Sequence, residues 1–233
     1  MAKKILVLSR KDHLHPKAWG AEIVMQKYMQ WLAQTWWSVT HISPLFKNAQ
    51  RNEQIDGIVY KRMFSIHTIY FFFWSRYLFI RKEQYDIILD HAWGIPLLSP
   101  IYIWNKPIVF FTHHVGTKER AEYFRQWIKM PWIGKLFWWI YTHGVLCVYK
   151  NKKTITVSEW TANELYALGF SQVTVIPNTT EYPRSIRTKL WEIPLHITTV
   201  GRVVPNKQFS HTLQCIQKLH QHWAYYHVSI VWW

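Results

Sequence analysis

An α/β fold on a doubly wound parallel sheet is what this sequence predicts, with the opening of a second unit of the same kind towards its C-terminal end. Three observations predict it. The apolar run "KILVLS" leads through a loop into an amphipathic helix and back into a strand, "SVTHIS". Further strand-like runs then alternate with helical stretches as far as "QVTVIPN". A strand–helix–strand pattern restarts at Leu195. Such alternation is the mark of parallel strands joined by crossover helices.

Each element follows from its residues. Lys4–Ser9 is apolar almost throughout, as a strand covered on both faces must be. Ala21–Thr35 places Met25, Tyr28, Met29 and Leu32 on one helical face, and Glu22 suits the positive N-terminal end. "IVYKRM" reads as a strand and the aromatic stretch from His67 as a helix. "YDIILD" and "PIVFFTHH" are apolar strands either side of the turn "AWGIPLLSP". Residues 118–150 read as helical, basic and aromatic. "KTITVS" is a strand ending at Ser158. A short helix follows from Thr161, where Thr161-x-x-Glu164 reads as a capping box, and stops at Gly169 with apolar Phe170 behind it. The polar, proline-containing stretch 181–194 reads as a linker between a first domain, 1–180, and a second, 195–233. That second part holds "LHITTVGRVVPNK", a helix near Ser210–Trp223 and "HVSIV". One strand–helix–strand cannot bury a parallel sheet, so it is expected to be the start of a larger domain.

Composition narrows the partners. Hydrophobic residues make up 49% of the 233 and charged residues 18%, enough for a core and unlike a disordered tail. The formal net charge of +15 favours anionic partners: nucleic acid, phosphorylated substrates or an acidic membrane face. Cys147 and Cys215 form neither a disulfide framework nor a metal-ligand spacing, which suits a reducing cytoplasm. The N-terminal apolar run is too short for a secretory signal, and the stretches Ile66–Ile80 and Trp127–Tyr149 carry Arg76, Lys129 and Lys135. The expected location is the cytoplasm, with the inner membrane face as a surface to which the chain can bind peripherally.

Five constellations bear on chemistry. In "GRVVPNK", Arg202 and Lys207 flank a loop between a strand and a helix start, which suits a diphosphate or, equally, a solvated basic turn. In "HPKAWGAE", the loop around Trp19 and Gly20 opens a helix and offers a second anion site. It lacks both the G-x-G-x-x-G fingerprint and the P-loop, which disfavours a nicotinamide dehydrogenase or an NTPase. His113 and His114 end an apolar strand, where α/β proteins bind ligands; two structural histidines are the alternative. Ser158, Glu159 and Asn178 lie at strand ends of the same sheet, as cleft residues or simple caps. Lys118–Lys153 interleaves bases with Trp127, Trp132, Phe137, Trp138 and Trp139, which suits an anionic membrane, single-stranded nucleic acid or a core.

Taken in order, "KILVLS", "HPKAWGAE", "DIILDHAWGIPLLSP", "FFTHHV", "TITVSEWTANEL", "VIPN" and "VGRVVPNK" resemble the group 1 (family 4) glycosyltransferases of the GT-B fold. The resemblance implies two Rossmann-like domains, the first for the acceptor and the second for a nucleotide-diphosphate sugar. It implies a retaining, metal-independent transfer to a lipid-linked or polysaccharide acceptor of the cell envelope, with no cofactor beyond the donor. By resemblance, Gly20 faces the donor phosphates, Arg202 and Lys207 bind the diphosphate, and His113, or alternatively His114, contacts the transferring sugar. The family's acidic Glu-x7-Glu motif would fall beyond residue 233, so the chain is expected to be a fragment, inactive alone. The competing expectation is a non-catalytic basic module that binds anionic membrane or nucleic acid.

The family's loop is Gly-Gly where this chain has Trp19-Gly20. Trp36 falls where a helix should close on glycine, Trp93 sits in the "AWGIP" turn and Trp232 follows the last strand. The chain has 16 Trp and 8 Gly, where a typical protein of this length has about 16 Gly. These tryptophans are therefore expected to come from UGA codons read as glycine in the source organism; the rival expectation is a real, Trp-rich and functionally decayed relative. Sequencing the gene tests this: TGA is expected at positions 19, 36, 93 and 232, and TGG at all four contradicts it.

Overall fold

The structure, a computed structural model, describes residues 2–65, 68, 85–92, 94–103, 105–115, 136, 139–178, 195–200, 208–222 and 226–231. The chain divides into two compact units, Met1–Thr179 and Thr180–Trp233. The first is built on an eight-stranded sheet. Its strands are β1 (Lys3–Ser9), β2 (Trp37–Ser43), β3 (Asn52–Ile55), β4 (Ile58–Arg62), β5 (Ile87–Ala92), β6 (Ile108–Thr112), β7 (Lys153–Thr156) and β8 (Val173–Val175). They lie in the order β3-β4-β2-β1-β5-β6-β7-β8. All pairs are parallel except β3 with β4. The chain winds outwards from β1 to β2 and β4, then returns to β5 on the other side of β1. The strand order therefore reverses between β1 and β5, the place where open α/β sheets leave a crevice at the carboxyl ends.

Side chains alternate between the two faces. On one, Ile5, Val7, Val39, Ile58, Leu89 and Phe111 pack against Met25 and Met29 of α1 (Gly20–Gln34). On the other, Leu6, Leu8, Ile42, Ile88 and Ile108 meet Leu97 and Tyr102, the latter in the short helix α2 (Ser99–Tyr102). Further along that face Phe110 stacks on Tyr149, with Leu146 and Phe170 in the same cluster. Burying each such side chain contributes roughly 1.5–3 kcal/mol before chain entropy is charged against it. A π-helical turn, Ile140–Val145, and a 3-10 turn, Cys147–Tyr149, bring Leu146 and Tyr149 there.

Two details differ from the sequence reading. Helix α3 (Glu159–Ala167) starts one turn earlier than expected: Ser158 is its N-cap, accepting from the Thr161 amide at 3.2 Å. Thr161 is the third helical residue, because a serine hydroxyl in extended backbone reaches that orphan amide first. Strand β3 was not expected. It pairs antiparallel with β4 through the two-residue turn Asp56-Gly57, both at positive φ, as a tight hairpin requires.

The second unit, described by itself, pairs β9 (Leu195–Val200) with β10 (Tyr226–Val231) in parallel, with α4 (Phe209–His222) between them in the chain. The expected linker 181–194, the helix beginning at His67, the loop "GRVVPNK", Trp93 and Trp232 lie outside the described residues.

Helices α1 and α3 are both followed by a left-handed residue, a different one in each. After α3, Gly169 is left-handed at φ 88; its amide reaches the Tyr166 carbonyl at 2.9 Å and the Phe170 amide reaches Leu165 at 3.1 Å. That is a Schellman closure with its apolar contact, Leu165 on Phe170. After α1, the same left-handed position is held by Trp36 at φ 78, with its side chain 90% exposed. A Cβ there costs roughly 1–2 kcal/mol, and the exposed ring gives little back. Trp19 differs: its φ of −129 is ordinary extended backbone. The Trp36→Gly variant is expected to be more stable than the parent by about 1 kcal/mol, read as a raised urea midpoint. An unchanged or lowered midpoint contradicts a glycine requirement at this position.

Candidate functional site

The carboxyl edge of the sheet, on the face covered by α1, turns from apolar to polar at its last residues. His41 of β2, Ser9 of β1, His91 of β5 and then His113, just past β6, are all buried. The Ser9 hydroxyl lies 2.6 Å from His41 Nε2, and His91 Nε2 lies 2.9 Å from His113 Nε2. Beneath this row lie the apolar Val7, Val39, Leu89 and Phe111. Burial keeps the imidazoles neutral: it lowers His41 to about 4 and His113 to about 4, and puts His91 well below the ordinary value.

The loop after β1 is fastened to this edge by Asp12. Its Oδ2 accepts from Arg62 Nε at 2.5 Å and from the Ser43 hydroxyl at 2.9 Å. Its Oδ1 accepts from the Leu14 amide at 2.9 Å, turning the chain. Both ion-pair side chains are fully buried. Arg62 also bonds the Gln50 carbonyl at 3.0 Å and the Glu53 carboxylate, and its guanidinium lies over Phe46 and Tyr60. Burial alone would lower Arg62; the bonds to Asp12 and Glu53 outweigh it and hold the guanidinium above its ordinary value. Tyr60 in turn donates to Gln26 of α1, tying strand to helix.

The loop delivers the start of α1. Trp19 is the N-cap, 39% exposed, and its amide donates to Glu22 Oε2 at 2.7 Å. Burial raises Glu22, while the amides of Trp19 and Glu22 pull it back down. Lys11 Nζ lies 5.5 Å from the Trp19 ring centroid and donates to the Lys17 carbonyl at 3.0 Å. Gly20 is the first helical residue, and a Cβ built on it meets nothing within 4 Å. The space beside the Gly20 Cα is therefore open, at a helix start whose dipole favours an anion, while the Glu22 and Ile23 amides already donate to the Trp19 carbonyl at 3.1 and 3.2 Å.

The structure brings several expected residues into neighbouring places. His113 meets the start of α3, where Thr161 Oγ1 donates to its carbonyl at 3.4 Å. Ser158, the α3 cap, and exposed Glu159 stand beside that bond. His114, less buried than His113, follows directly. Asn178 is exposed, three residues beyond β8 at the sheet's far edge. Arg202 and Lys207 lie outside the described residues.

Asp12, Arg62, His41 and His91 were missed by reading the sequence. Asp12 lies in a loop, and the other three are single polar residues inside strands, whose meaning appears only once strand order is known. Asp90 was missed too. It is fully buried on the opposite face and accepts from Tyr149 Oη at 2.5 Å and from the amides of Leu97 and Ser99 at 3.3 and 3.1 Å. These bonds hold the turn in which Leu98 is left-handed, at φ 59. Burial raises Asp90, against the pull of those donors.

Among the described residues no cluster of His, Cys, Asp and Glu could hold a metal ion, and no helix is long and apolar enough to cross a membrane.

The family model described as Glycosyltransferase Family 4 matches residues 19–184, from the Trp19 cap through the last strand of the first unit. No curated protein matches the chain. Among solved structures, one described as trehalose-6-phosphate from E. coli bound with UDP-2-fluoro glucose aligns with 99% of this chain at a TM-score of 0.57 and 13% identity. The aligned part is 64% of that protein's length, so this chain spans less than two thirds of it. The glycotransferase of kitacinnamycin aligns with 99% of this chain and 66% of its own, at a TM-score of 0.44 and 11% identity. The first likeness shows the fold, a Rossmann-like α/β sheet of the GT-B type.

The buried histidines set a pH dependence. An unfolded histidine protonates near 6.5, while folded His41 and His113 resist until about 4. Between those values the unfolded chain binds protons that the folded one refuses. The stability from neutral burial is thus complete above pH 6.5 and is lost as pH falls towards 4. Buried Glu22 and Asp90, raised rather than lowered, work in the opposite sense. The His41→Asn variant isolates one contribution. Its stability is expected to fall less than the parent's between pH 6.5 and 4, by about 3 kcal/mol. Parallel pH profiles for the two proteins contradict this.

Proposed function

Because the chain belongs to glycosyltransferase family 4, we propose that it serves transfer of a sugar from a nucleotide-diphosphate donor to a lipid-linked or polysaccharide acceptor, with retention and without a metal. One observation carries the proposal. The family match begins at the cap of a helix whose first residue, Gly20, leaves open space at the carboxyl edge of a parallel sheet.

The chemistry this supports is electrostatic. Breaking a sugar–phosphate bond places negative charge on the departing diphosphate. Amides at a helix start, such as that of α1, and cations, such as the Arg202 and Lys207 that the resemblance assigns to the diphosphate, stabilise such charge without rearranging. The row of His41, Ser9 and His91 is kept neutral by burial and adds no charge of its own, and a histidine would orient the sugar's hydroxyls. The acceptor would lie on the first unit, and the loop fixed by Asp12 would shape its side of the site. Exposed Leu136, Trp139 and Ile140 stand at helical spacing in a segment rich in Lys and Arg, which supports a peripheral approach to an anionic membrane carrying a lipid-linked acceptor.

The complete gene product, incubated with UDP- and GDP-sugars and an envelope glycan acceptor, is expected to release nucleoside diphosphate. Arg202→Ala or Lys207→Ala is expected to slow that release on the order of 10²-fold. Undiminished release by both variants contradicts the assignment. Salt-sensitive binding to anionic vesicles or oligonucleotides, with no affinity for any nucleotide sugar, would favour a non-catalytic module instead.

A further inference from the structure

We propose that this fold binds one internal water molecule between α1, β2 and β4, hydrogen-bonded to Gln26 Nε2, His41 Nδ1 and Arg62 Nη2. The proposal stands apart from the transferase reading above.

The first observation is a set of unmet bonds. Gln26, His41 and Arg62 are 6%, 2% and 2% exposed, and each satisfies only part of its hydrogen-bonding capacity. Gln26 Oε1 accepts from the Tyr60 hydroxyl, His41 Nε2 meets Ser9, and Arg62 spends Nε and Nη1 on Asp12, Gln50 and Glu53. Gln26 Nε2, His41 Nδ1 and Arg62 Nη2 are buried as well, and among the described residues they bond no protein group. Leaving a buried polar atom unmet is costly, most of all on a charged side chain.

The second observation is where these side chains lie. His41 of β2 and Tyr60 of β4 are register partners, and Arg62 follows Tyr60 by two residues, so all three side chains share the sheet face under α1. The His41 ring is 5.3 Å from the Tyr60 ring, and the Arg62 guanidinium carbon is 5.3 Å from the same ring. Gln26 reaches down from α1 to the Tyr60 hydroxyl. A helix and two strands therefore bring their unmet atoms to the surroundings of one aromatic ring.

The third observation is the sense of each bond. Ser9 has one hydroxyl proton and donates it to the Lys11 carbonyl at 2.6 Å. Its oxygen must then accept from His41 Nε2, also at 2.6 Å. A neutral imidazole protonated at Nε2 carries a lone pair at Nδ1, and burial holds this ring neutral down to about pH 4. One acceptor, His41 Nδ1, thus stands with two donors, Gln26 Nε2 and Arg62 Nη2. Water answers all three: it gives one proton to His41 and accepts one bond each from Gln26 and Arg62. Three bonds is the usual number for a buried water. An anion would satisfy the donors but would face the His41 lone pair, and Arg62 already has the carboxylates of Asp12 and Glu53 against it. A metal cation would find a single nitrogen ligand beside a guanidinium.

The test has two arms. The first is an atomic-resolution crystal structure of this chain at neutral pH, with a second crystal soaked in bromide. An ordered oxygen is expected at about 2.7–3.2 Å from each of the three atoms, with no anomalous bromide signal there. A water that misses any of the three, direct bonds among them, a dry contact or a bromide ion at that place overturns the proposal. The second arm reads the His41 tautomer in long-range 1H–15N spectra of this chain at neutral pH. The Nε2–H form is expected. The Nδ1–H form would turn the one acceptor into a third donor, and it overturns the proposal.

Discussion

The carboxyl edge of this sheet depends on the buried pair of Asp12 and Arg62. One is in a loop and the other ends a strand 50 residues later, and neither has water to fall back on. Taking both charges out of solvent is costly, and such a pair adds little net stability over a well-packed apolar one. Its value lies in what else it fixes. Arg62 gathers Asp12, Glu53, the Gln50 carbonyl and two aromatic rings. Asp12 in turn gathers Ser43 and the Leu14 amide. Loop, hairpin and sheet thus share one arrangement, and removing either charge leaves the other buried and unpaired, at a cost of about 3–5 kcal/mol.

That arrangement sets where α1 begins. The loop from Arg10 to Trp19 is closed on itself by Lys11, His15 and Asp12, then handed to the helix through the Trp19 amide and Glu22. The helix is held down by Met25 and Met29 on the sheet and by the bond between Tyr60 and Gln26. Its first turn therefore stands at a fixed place, with open space beside Gly20. Across the adjacent strands the polar row of His41, Ser9, His91 and His113 replaces the apolar one beneath it. A sheet that is greasy to its last turn and polar at its rim buries its core and ties neighbouring strand ends together through side-chain hydrogen bonds.

Much of the fold was legible because apolar runs and helical periodicity are local. Lys3–Ser9, Gly20–Gln34 and Ile108–Thr112 fall within a residue or two of where the pattern puts them. Strand β3 was not legible from its polar "NEQI", although the Asp-Gly pair behind it is a strong hairpin signal. The site was legible only in part. Gly20, His113 and Ser158 stand at element ends, which a sequence shows. Asp12, Arg62 and His91 act through partners far away in the chain, and nothing in a one-dimensional pattern pairs His91 with His113. Composition and the expected helix end pointed to Trp36, and the left-handed backbone there agrees. Composition and the family's Gly-Gly loop pointed to Trp19, whose extended backbone asks for no glycine.

On the proposed function, the start of α1 faces a diphosphate. The most direct measurement follows the Gly20 amide in 1H–15N spectra as UDP or a UDP-sugar is added. Gly20 and its first-turn neighbours are expected to shift with the diphosphate and not with the nucleoside alone. Binding that moves other amides while Gly20 and that turn stay still would contradict it.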